Sequence, residues 1–397
     1  MSRSARFAPL CALLLLTVTA IPEVPASSVL WTAPSILAAS LLIAWAAESA
    51  QFFIAQGVAL AILAWLQTLP EFAVEAVLAW RQQVPLLMAN LTGALRLLTG
   101  LGWPMIYAVA AYFHRRKTGR RLGAIRLADE HCVEVIGLFA ALAWSFVIWA
   151  KGSLDVIDAA ILIGVYGVYI WVLQRMPVAD QEGVDDLEFI PRTIVTARPA
   201  LRIAAISTLF VAGGGLIYAM AEPFLASLLA LSSSLGVPNF IFVQWVAPFV
   251  SEFPEKVSAF YWARTVERAS MALMNMVSSN INQWTLLAAM LPIVFSLSRG
   301  AMTAVPLDGR QELELLMTLG QSLLSALFLL NMELTWWEAA GLFGLWIVQF
   351  AFSTAVHEVV TAVYFVWAGA MAVRCAKARC QPEALRLFRE MWRRHVR

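Results

Sequence analysis

The sequence predicts an all-α, polytopic membrane protein with two inverted five-helix repeats plus flanking helices, and three observations support this fold class. Of its 397 residues, 61% are hydrophobic and only 14% are charged, whereas soluble domains are about half apolar. The apolar residues recur in stretches of about 20, the length of a membrane-spanning helix. The two halves of the chain also carry similar Pro-Glu motifs. The sequence therefore predicts a membrane protein and not a soluble fold.

The charged residues indicate how the chain is oriented in the membrane. The formal net charge is only +2, which does not favour a nucleic-acid partner. Lys and Arg cluster at the ends of apolar segments, and basic loops of membrane proteins face the cytoplasm. We therefore expect a multi-pass integral protein of the cell (inner) membrane, with the basic link at 114–126 in the cytoplasm.

The apolar segments fall into two halves around an acidic link. Five crossings are expected in each half, and an odd number inserts the halves in opposite orientations, as in many secondary transporters. The expected divisions are a signal-like or first transmembrane segment (1–29), the first repeat (30–174), a cytoplasmic link (175–200), the second repeat (201–353), and a last transmembrane helix with a basic amphipathic tail (354–397). Crossings are expected near 30–50, 54–80, 84–113, 131–150, 154–174, 201–232, 237–263, 269–298, 312–331, 336–353 and 356–374.

Each half contains a Pro-Glu motif within an apolar helix, followed by a helix rich in Asn and small residues. The motifs are LQTLPEFAVEAVLAW at 66–80 and VSEFPEKVSAFYWA at 250–263. Asn90 follows Glu71 by 19 positions, and Asn275 follows Glu255 by 20. This match predicts that the two glutamates occupy equivalent places in the two repeats.

The Pro-Glu motifs favour a cation-binding site. Pro70 and Pro254 cannot donate a backbone hydrogen bond, so carbonyl oxygens one turn earlier become available. An ionised carboxylate near the bilayer centre costs about 2.5 kcal/mol or more, and a bound cation offsets that cost. Sodium and calcium bind carboxylate, carbonyl, hydroxyl and amide oxygens. The candidate ligands are Glu71 and Glu255, with Glu75, Glu252, Asn90 and Asn280 as additions. Alternatively, each glutamate pairs with a nearby base, Arg96 or Lys256.

Other polar residues in the apolar segments carry no enzyme signature. His357 and Glu358 resemble half of a zinc-protease motif, but Thr361 stands where the second His is required. They are expected to pair locally or, alternatively, to relay protons. Glu48 and Glu222 precede the Pro-Glu motifs and are expected to cap or pair at helix ends. The four cysteines show no disulfide or zinc spacing. We therefore predict no enzyme, no catalytic residues and no cofactor.

The two motifs resemble those of the cation/calcium exchanger superfamily, of sodium/calcium exchanger type, as a divergent branch. That family has two α-repeats in which Pro-Glu helices are followed by Gly-Ser-Asn helices. The resemblance covers 30–113 and 201–298 best. It implies that the glutamate of each repeat is a central ion ligand. The positions that match family ligands are Glu71, Glu255, Thr68, Ser251, Ser279 and Gln283, while Glu252 stands where the family has Ser.

The first repeat departs from the family pattern. Ala94 and Leu98 occupy ligand positions, Leu95 stands where the motif has Asn, and Arg96 follows. Fewer oxygens and an added positive charge favour monovalent ions, because calcium prefers about six to eight oxygens. We expect secondary active antiport of small cations (sodium, calcium or protons) by alternating access, with sodium/proton exchange slightly favoured. A non-transporting scaffold or sensor with the exchanger fold is the alternative.

Overall fold

The fold is a bundle of apolar helices with two short strand pairs. A computed structural model describes residues 24–53, 65–66, 68–176, 183–184, 187, 189–352, 356–377 and 382–396. Within these residues, eight helices are long and apolar enough to cross a membrane. The predicted polytopic helical architecture is confirmed. Most of the predicted signal-like segment, at 1–23, lies outside the described residues.

The first half contains six helices and two strands among its described residues. They are α1 (Val29–Ala50), α2 (Leu69–Trp80), α3 (Val84–Leu97), α4 (Trp103–Thr118), β1 (Ala124–Arg126), α5 (Cys132–Lys151), β2 (Ser153–Leu154) and α6 (Val156–Leu173). A π-helical segment, Leu98–Gly102, joins α3 to α4. A short helix, α7 (Phe189–Thr196), then precedes the second half.

The second half repeats this order. Its elements are α8 (Pro199–Ser234), α9 (Asn239–Ser251), α10 (Phe253–Arg264), α11 (Ala269–Asn282), α12 (Ala288–Arg299), β3 (Val305–Pro306), α13 (Gly309–Phe328), β4 (Glu333–Thr335) and α14 (Trp336–Ala351). A second π-helical segment, Gln283–Leu287, joins α11 to α12. The helices α15 (His357–Lys377) and α16 (Glu383–Met391) follow.

Local sequence signals explain where equivalent helices begin and end. Gly119 ends α4 and Gly300 ends α12, both with a positive φ (73° and 66°) that a residue without a Cβ adopts without strain. Asp155 before α6 and Thr335 before α14 each occupy the N-cap position of a capping box. Equivalent helices of the two halves therefore begin and end with the same types of capping motif.

The strand pairs show that the halves are inverted. β1 pairs with β4, and β2 pairs with β3, both antiparallel. Since β1 precedes α5 and β4 follows α13, the start of α5 lies beside the end of α13. The opposite ends of the same helices are joined by β2 and β3. The helices α5 and α13 therefore run in opposite directions, and the predicted inverted repeat is confirmed.

The basic link after α4 and the connection between α10 and α11 lie at the same end of the bundle. Lys117 Nζ lies 2.7 Å from Glu267 Oε1. The hydrogen bond from this ammonium group holds the pKa of Glu267 below its ordinary value. This contact agrees with the predicted topology, in which both loops face the cytoplasm.

The expectation of one continuous helix over 237–263 is wrong. The helix is interrupted at Glu252, between α9 and α10. Pro254 lies in the first turn of α10, where its missing N–H costs nothing. In the first half, Pro70 likewise lies in the first turn of α2, and residues 54–64 lie outside the described residues. The Pro-Glu motifs thus begin short helices and do not lie inside long ones.

The C-terminal helix α16 is amphipathic, as predicted, but its apolar face packs against the protein. Ala384 and Leu387 are buried, and α16 contacts α5. The ring of Trp392, directly after α16, lies 6.1 Å from that of Trp171. The bundle therefore covers apolar surface that would otherwise face lipid or water.

Candidate ion-binding site

The two motif glutamates lie at the beginnings of the two short helices. Glu71 is in the first turn of α2, and Glu255 is in the first turn of α10. Both side chains are fully buried. The unpaired N–H groups of a helix N-terminus give it a partial positive charge, which stabilises a nearby carboxylate. Because a helix begins at each of these buried places, its N-terminus can stabilise an acid there.

Gln283 joins the first repeat to the second. Its Nε2 donates to Glu71 Oε2 at 2.7 Å and to Glu252 Oε1 at 2.8 Å. It begins the π-helical segment after α11. The Glu71 carboxylate also interacts electrostatically with Glu75 and Glu255. One amide therefore bridges an acid of each Pro-Glu motif, and two further acids lie near Glu71.

A second contact between the repeats joins Thr68 to Asn282. Asn282 Nδ2 donates to Thr68 Oγ1 at 2.6 Å, and Thr68 Oγ1 donates to the carbonyl oxygen of Trp65 at 2.8 Å. Asn282 is absent from the residues that the sequence predicted. The polar run NINQ, which ends in Gln283, is the feature of the sequence from which Asn282 could have been identified.

Several buried oxygens around these contacts accept no hydrogen bond from the described residues. They are Glu71 Oε1, both carboxylate oxygens of Glu255, Asn282 Oδ1 and Gln283 Oε1. Buried polar atoms are nearly always paired, so a cluster of unpaired oxygens requires a positively charged or hydrogen-bonding occupant. Carboxylate and amide oxygens are ligands of sodium and calcium. This arrangement therefore suits a cation or protons.

Glu71, Glu75 and Glu255 each keep at least one carboxylate oxygen that accepts no hydrogen bond from the described residues. In the described part of the chain, no three His, Cys, Asp or Glu side chains form a metal-binding group. Any cation would therefore rely on amide and hydroxyl oxygens in addition to Glu71 and Glu255.

The remaining predicted ligands are distributed unevenly around the site. Asn90 Nδ2 donates to Glu75 Oε1 at 3.1 Å. The Ser279 side chain lies near the Glu255 carboxylate. Ser251 Oγ donates instead to the carbonyl of Pro248 at 3.3 Å. Asn280 is buried, and its amide makes no hydrogen bond within the described residues. These positions remain predictions as ligands.

The alternative pairing of Glu71 with Arg96 and of Glu255 with Lys256 is not found. Arg96 Nη2 lies 2.8 Å from Glu314 Oε2, and both side chains are buried. Lys256 Nζ lies 2.5 Å from Glu252 Oε2, and not against Glu255. Neither base therefore neutralises the two principal acids directly.

Arg96 belongs to a separate buried polar network. It donates to Gln349 Oε1 at 3.1 Å, and its guanidinium lies 5.1 Å from the ring centre of Trp245. His357 Nδ1 lies 2.6 Å from Glu314 Oε1. The expected local pairing is wrong, because the partner of His357 is 43 positions away in the sequence and Glu358 is exposed. This network links α3 to α13, α14 and α15.

The acids that precede the motifs differ in their surroundings. Glu222 in α8 forms a salt bridge with Arg81, directly after α2. Glu222 is paired as expected, but it lies in the middle of α8, and only its partner is at a helix end. Glu48 is buried near the end of α1.

Comparison with known proteins agrees with this geometry. A family model described as sodium/calcium exchanger protein matches residues 24–174 and 206–355. The chain is similar to a crystal structure of the H+/Ca2+ exchanger CAX, with 31% identity over 97% of this chain and 95% of that chain, and a TM-score of 0.85. It also resembles the sodium-calcium exchanger NCX_Mj soaked with 100 mM Na+ and 10 mM Sr2+, with 17% identity over 82% of this chain and 97% of that chain, and a TM-score of 0.55. No match was found among the curated proteins.

The inverted bundle with paired acids between its halves defines a cation antiporter of the membrane. The chain belongs to the sodium/calcium exchanger protein family, whose model matches most of its length. The resemblance seen in the Pro-Glu motifs is confirmed.

Proposed function

We propose that this protein is a secondary antiporter of the cell (inner) membrane that exchanges calcium for protons. The observation that carries this proposal is the meeting of Glu71 and Glu255, one from each repeat, beside buried oxygens that accept no hydrogen bond among the described residues. The 31% identity to an H+/Ca2+ exchanger supports the choice of ions.

The charge of the site supports exchange in preference to one-way movement. Two carboxylates balance one calcium ion or two protons, so either load leaves the buried site close to neutral. An unloaded site would hold two uncompensated charges in a low-dielectric environment, which is costly. The loaded forms are therefore favoured when access changes from one side of the membrane to the other.

Selectivity for monovalent ions has less support in the structure than in the sequence. It depended on Arg96 as a positive charge facing the glutamates, but Arg96 pairs with Glu314. The missing oxygens at Ala94 and Leu98 remain, and they are compatible with sodium as an alternative to calcium. The proposal therefore takes calcium as the substrate and treats sodium as an outcome of the test.

Ion flux in proteoliposomes tests the proposal. Vesicles that contain the purified protein should take up calcium when a proton gradient is imposed, because the outward flow of protons drives uptake. Calcium uptake driven only by a sodium gradient would replace protons by sodium as the coupling ion. If no gradient of sodium, calcium or protons produces flux, the scaffold alternative is correct and transport is not the function.

A further inference from the structure

Lys256 is a buried base next to the candidate site. It directly follows Glu255 in α10, and its side chain is only 6% exposed. Its Nζ lies 2.5 Å from Oε2 of Glu252, one turn earlier. A buried ammonium group is costly unless a carboxylate compensates its charge, and Glu252 supplies that charge.

Both oxygens of Glu252 are already engaged. Oε2 contacts Lys256, and Oε1 accepts a hydrogen bond from Gln283 Nε2 at 2.8 Å. Glu71 and Glu255 differ in this respect, since Glu71 Oε1 and both oxygens of Glu255 accept no hydrogen bond from the described residues. To bind Glu252, a cation would therefore have to displace Lys256 or Gln283.

We propose that Lys256 is a resident cation of the ion site, which occupies Glu252 permanently and so limits the transported charge to that balanced by Glu71 and Glu255. This inference rests on the proposed function and makes Lys256 a specificity-determining residue. Its ammonium group takes the place of a bound monovalent ion. Because a covalent chain attaches it to α10, it cannot leave with the substrate.

The resident charge would act more strongly on a divalent ion than on a monovalent one. Coulomb energy is proportional to the product of the charges, so Lys256 opposes calcium about twice as strongly as sodium in free energy. Removing Lys256 would also free Glu252 to bind the ion as a third carboxylate. Both effects would tighten calcium binding and slow its release.

The test measures calcium and sodium affinity of the purified protein by calorimetry in detergent. Lys256→Met is expected to tighten calcium binding about tenfold or more, and sodium binding by about the square root of that factor. Glu252→Gln leaves the ammonium group unpaired and is expected to weaken calcium binding about tenfold or more. The double variant Glu252→Gln with Lys256→Met should return the affinity to within about threefold of wild type.

The opposite direction of the two single effects distinguishes a resident cation from an ordinary structural salt bridge. Unchanged or weaker calcium binding in Lys256→Met would overturn the inference, as would a double variant as weak as Glu252→Gln. If Lys256→Met does not fold, the comparison of Glu252→Gln with the double variant decides, since an ordinary structural salt bridge would leave calcium affinity equal in the two. Lys256→Arg keeps the charge and should not tighten calcium binding.

The same measurements separate this inference from the proposed function. Glu71→Gln should abolish binding if Glu71 is a ligand. Wild-type binding of calcium by Glu71→Gln, or no binding of either cation by the wild type, would overturn the proposed function and this inference with it. Calcium binding that depends on Glu71 but does not change on loss of Lys256 would overturn the inference alone.

Discussion

Glu71 and Glu255 stand at equivalent places in the two repeats, but their hydrogen bonding differs. Glu71 accepts a hydrogen bond from Gln283 of the second repeat. Glu255 has no such donor among the described residues, and Leu98 replaces an oxygen ligand of the family in the first repeat. The two glutamates therefore differ in hydrogen bonding because the helix after the second motif carries Gln283, whereas the helix after the first carries Leu98 at the corresponding position.

The charge of these glutamates, and not their size, should be required for transport. Glu71→Gln and Glu255→Gln keep the shape of the side chain but remove the charge that favours a cation. Each is expected to lower calcium flux in proteoliposomes to the background of empty vesicles, with normal expression and size-exclusion profile. Glu358→Gln, an exposed acid in α15, is the matched control and should transport normally. Wild-type flux by both glutamine variants would remove these acids from the site.

The buried pair of Arg96 and Glu314 should contribute to stability. Glu314 contacts Arg96 at 2.8 Å and His357 at 2.6 Å. Glu314→Gln leaves the guanidinium without its counter-charge, and loss of one partner of a buried pair costs about 3 to 5 kcal/mol. We expect this loss in the free energy of unfolding, measured by denaturation in micelles. An unfolding midpoint equal to that of Glu358→Gln would show that the pair adds no stability.

The sequence could predict the principal acids but not their partners. The motif and its repetition identify Glu71 and Glu255 because both signals are local. Thr68 and its donor Asn282 are 214 positions apart, and the single sequence carries no information about such pairs. For the same reason Arg96 was expected near the glutamates, although it pairs with Glu314 from another helix.

At the scale of elements, the helices α3 and α9 are in very close contact. Gly93 of α3 lies directly against the backbone of Gln244 in α9, and a Cβ at position 93 would come within 1.9 Å of that carbonyl oxygen. Backbone atoms cannot move aside as a flexible side chain can. The contact therefore requires glycine, and it holds the second repeat's broken helix against the first repeat.

Gly93→Ala is expected to destabilise the protein. Forcing a methyl group into this contact should cost about 1 to 3 kcal/mol, which outweighs the gain in helix propensity of about 1 kcal/mol or less. The measurement is the midpoint of thermal unfolding in detergent. Gly164→Ala is the control, because a Cβ there meets no atom within 4 Å, and its midpoint should stay the same or rise. Equal midpoints for the two variants would contradict the close contact.

The sequence predicted most helices but not the irregular ones. Long apolar runs such as the one at 201–232 correspond to a regular helix, Pro199–Ser234. The break at Glu252 was missed because proline is compatible both with a kink and with a helix start. The two π-helical segments carry no signal that periodicity detects, since each runs continuously into apolar helices.

At the scale of the whole molecule, the inverted arrangement predicts opposite exposure of equivalent loops. Arg126 in β1 and Met302 before β3 are both 88% exposed. In a background without native cysteines, Arg126→Cys should react with a membrane-impermeant thiol reagent only from the cytoplasmic side. Met302→Cys should react only from the opposite side. Labelling of both from one side would contradict the inverted topology.

The inverted arrangement of the two halves was predictable from the number of membrane crossings in each half. An odd number of crossings in each half requires it, and the pairing of β1 with β4 and of β2 with β3 shows it directly. The strands themselves were not predictable. Each has two or three residues, too few to show an alternating pattern.

The two strand pairs, β1 with β4 and β2 with β3, fasten α5 to α13 at both ends of these helices. Sliding one helix along the other by a single residue, about 1.5 Å, would break the register Ile125 to Leu334 at one end and Leu154 to Val305 at the other. A pair that is fastened at both ends resists such sliding. We therefore expect these two helices to act as a stator, the part that stays fixed while other helices move during alternating access.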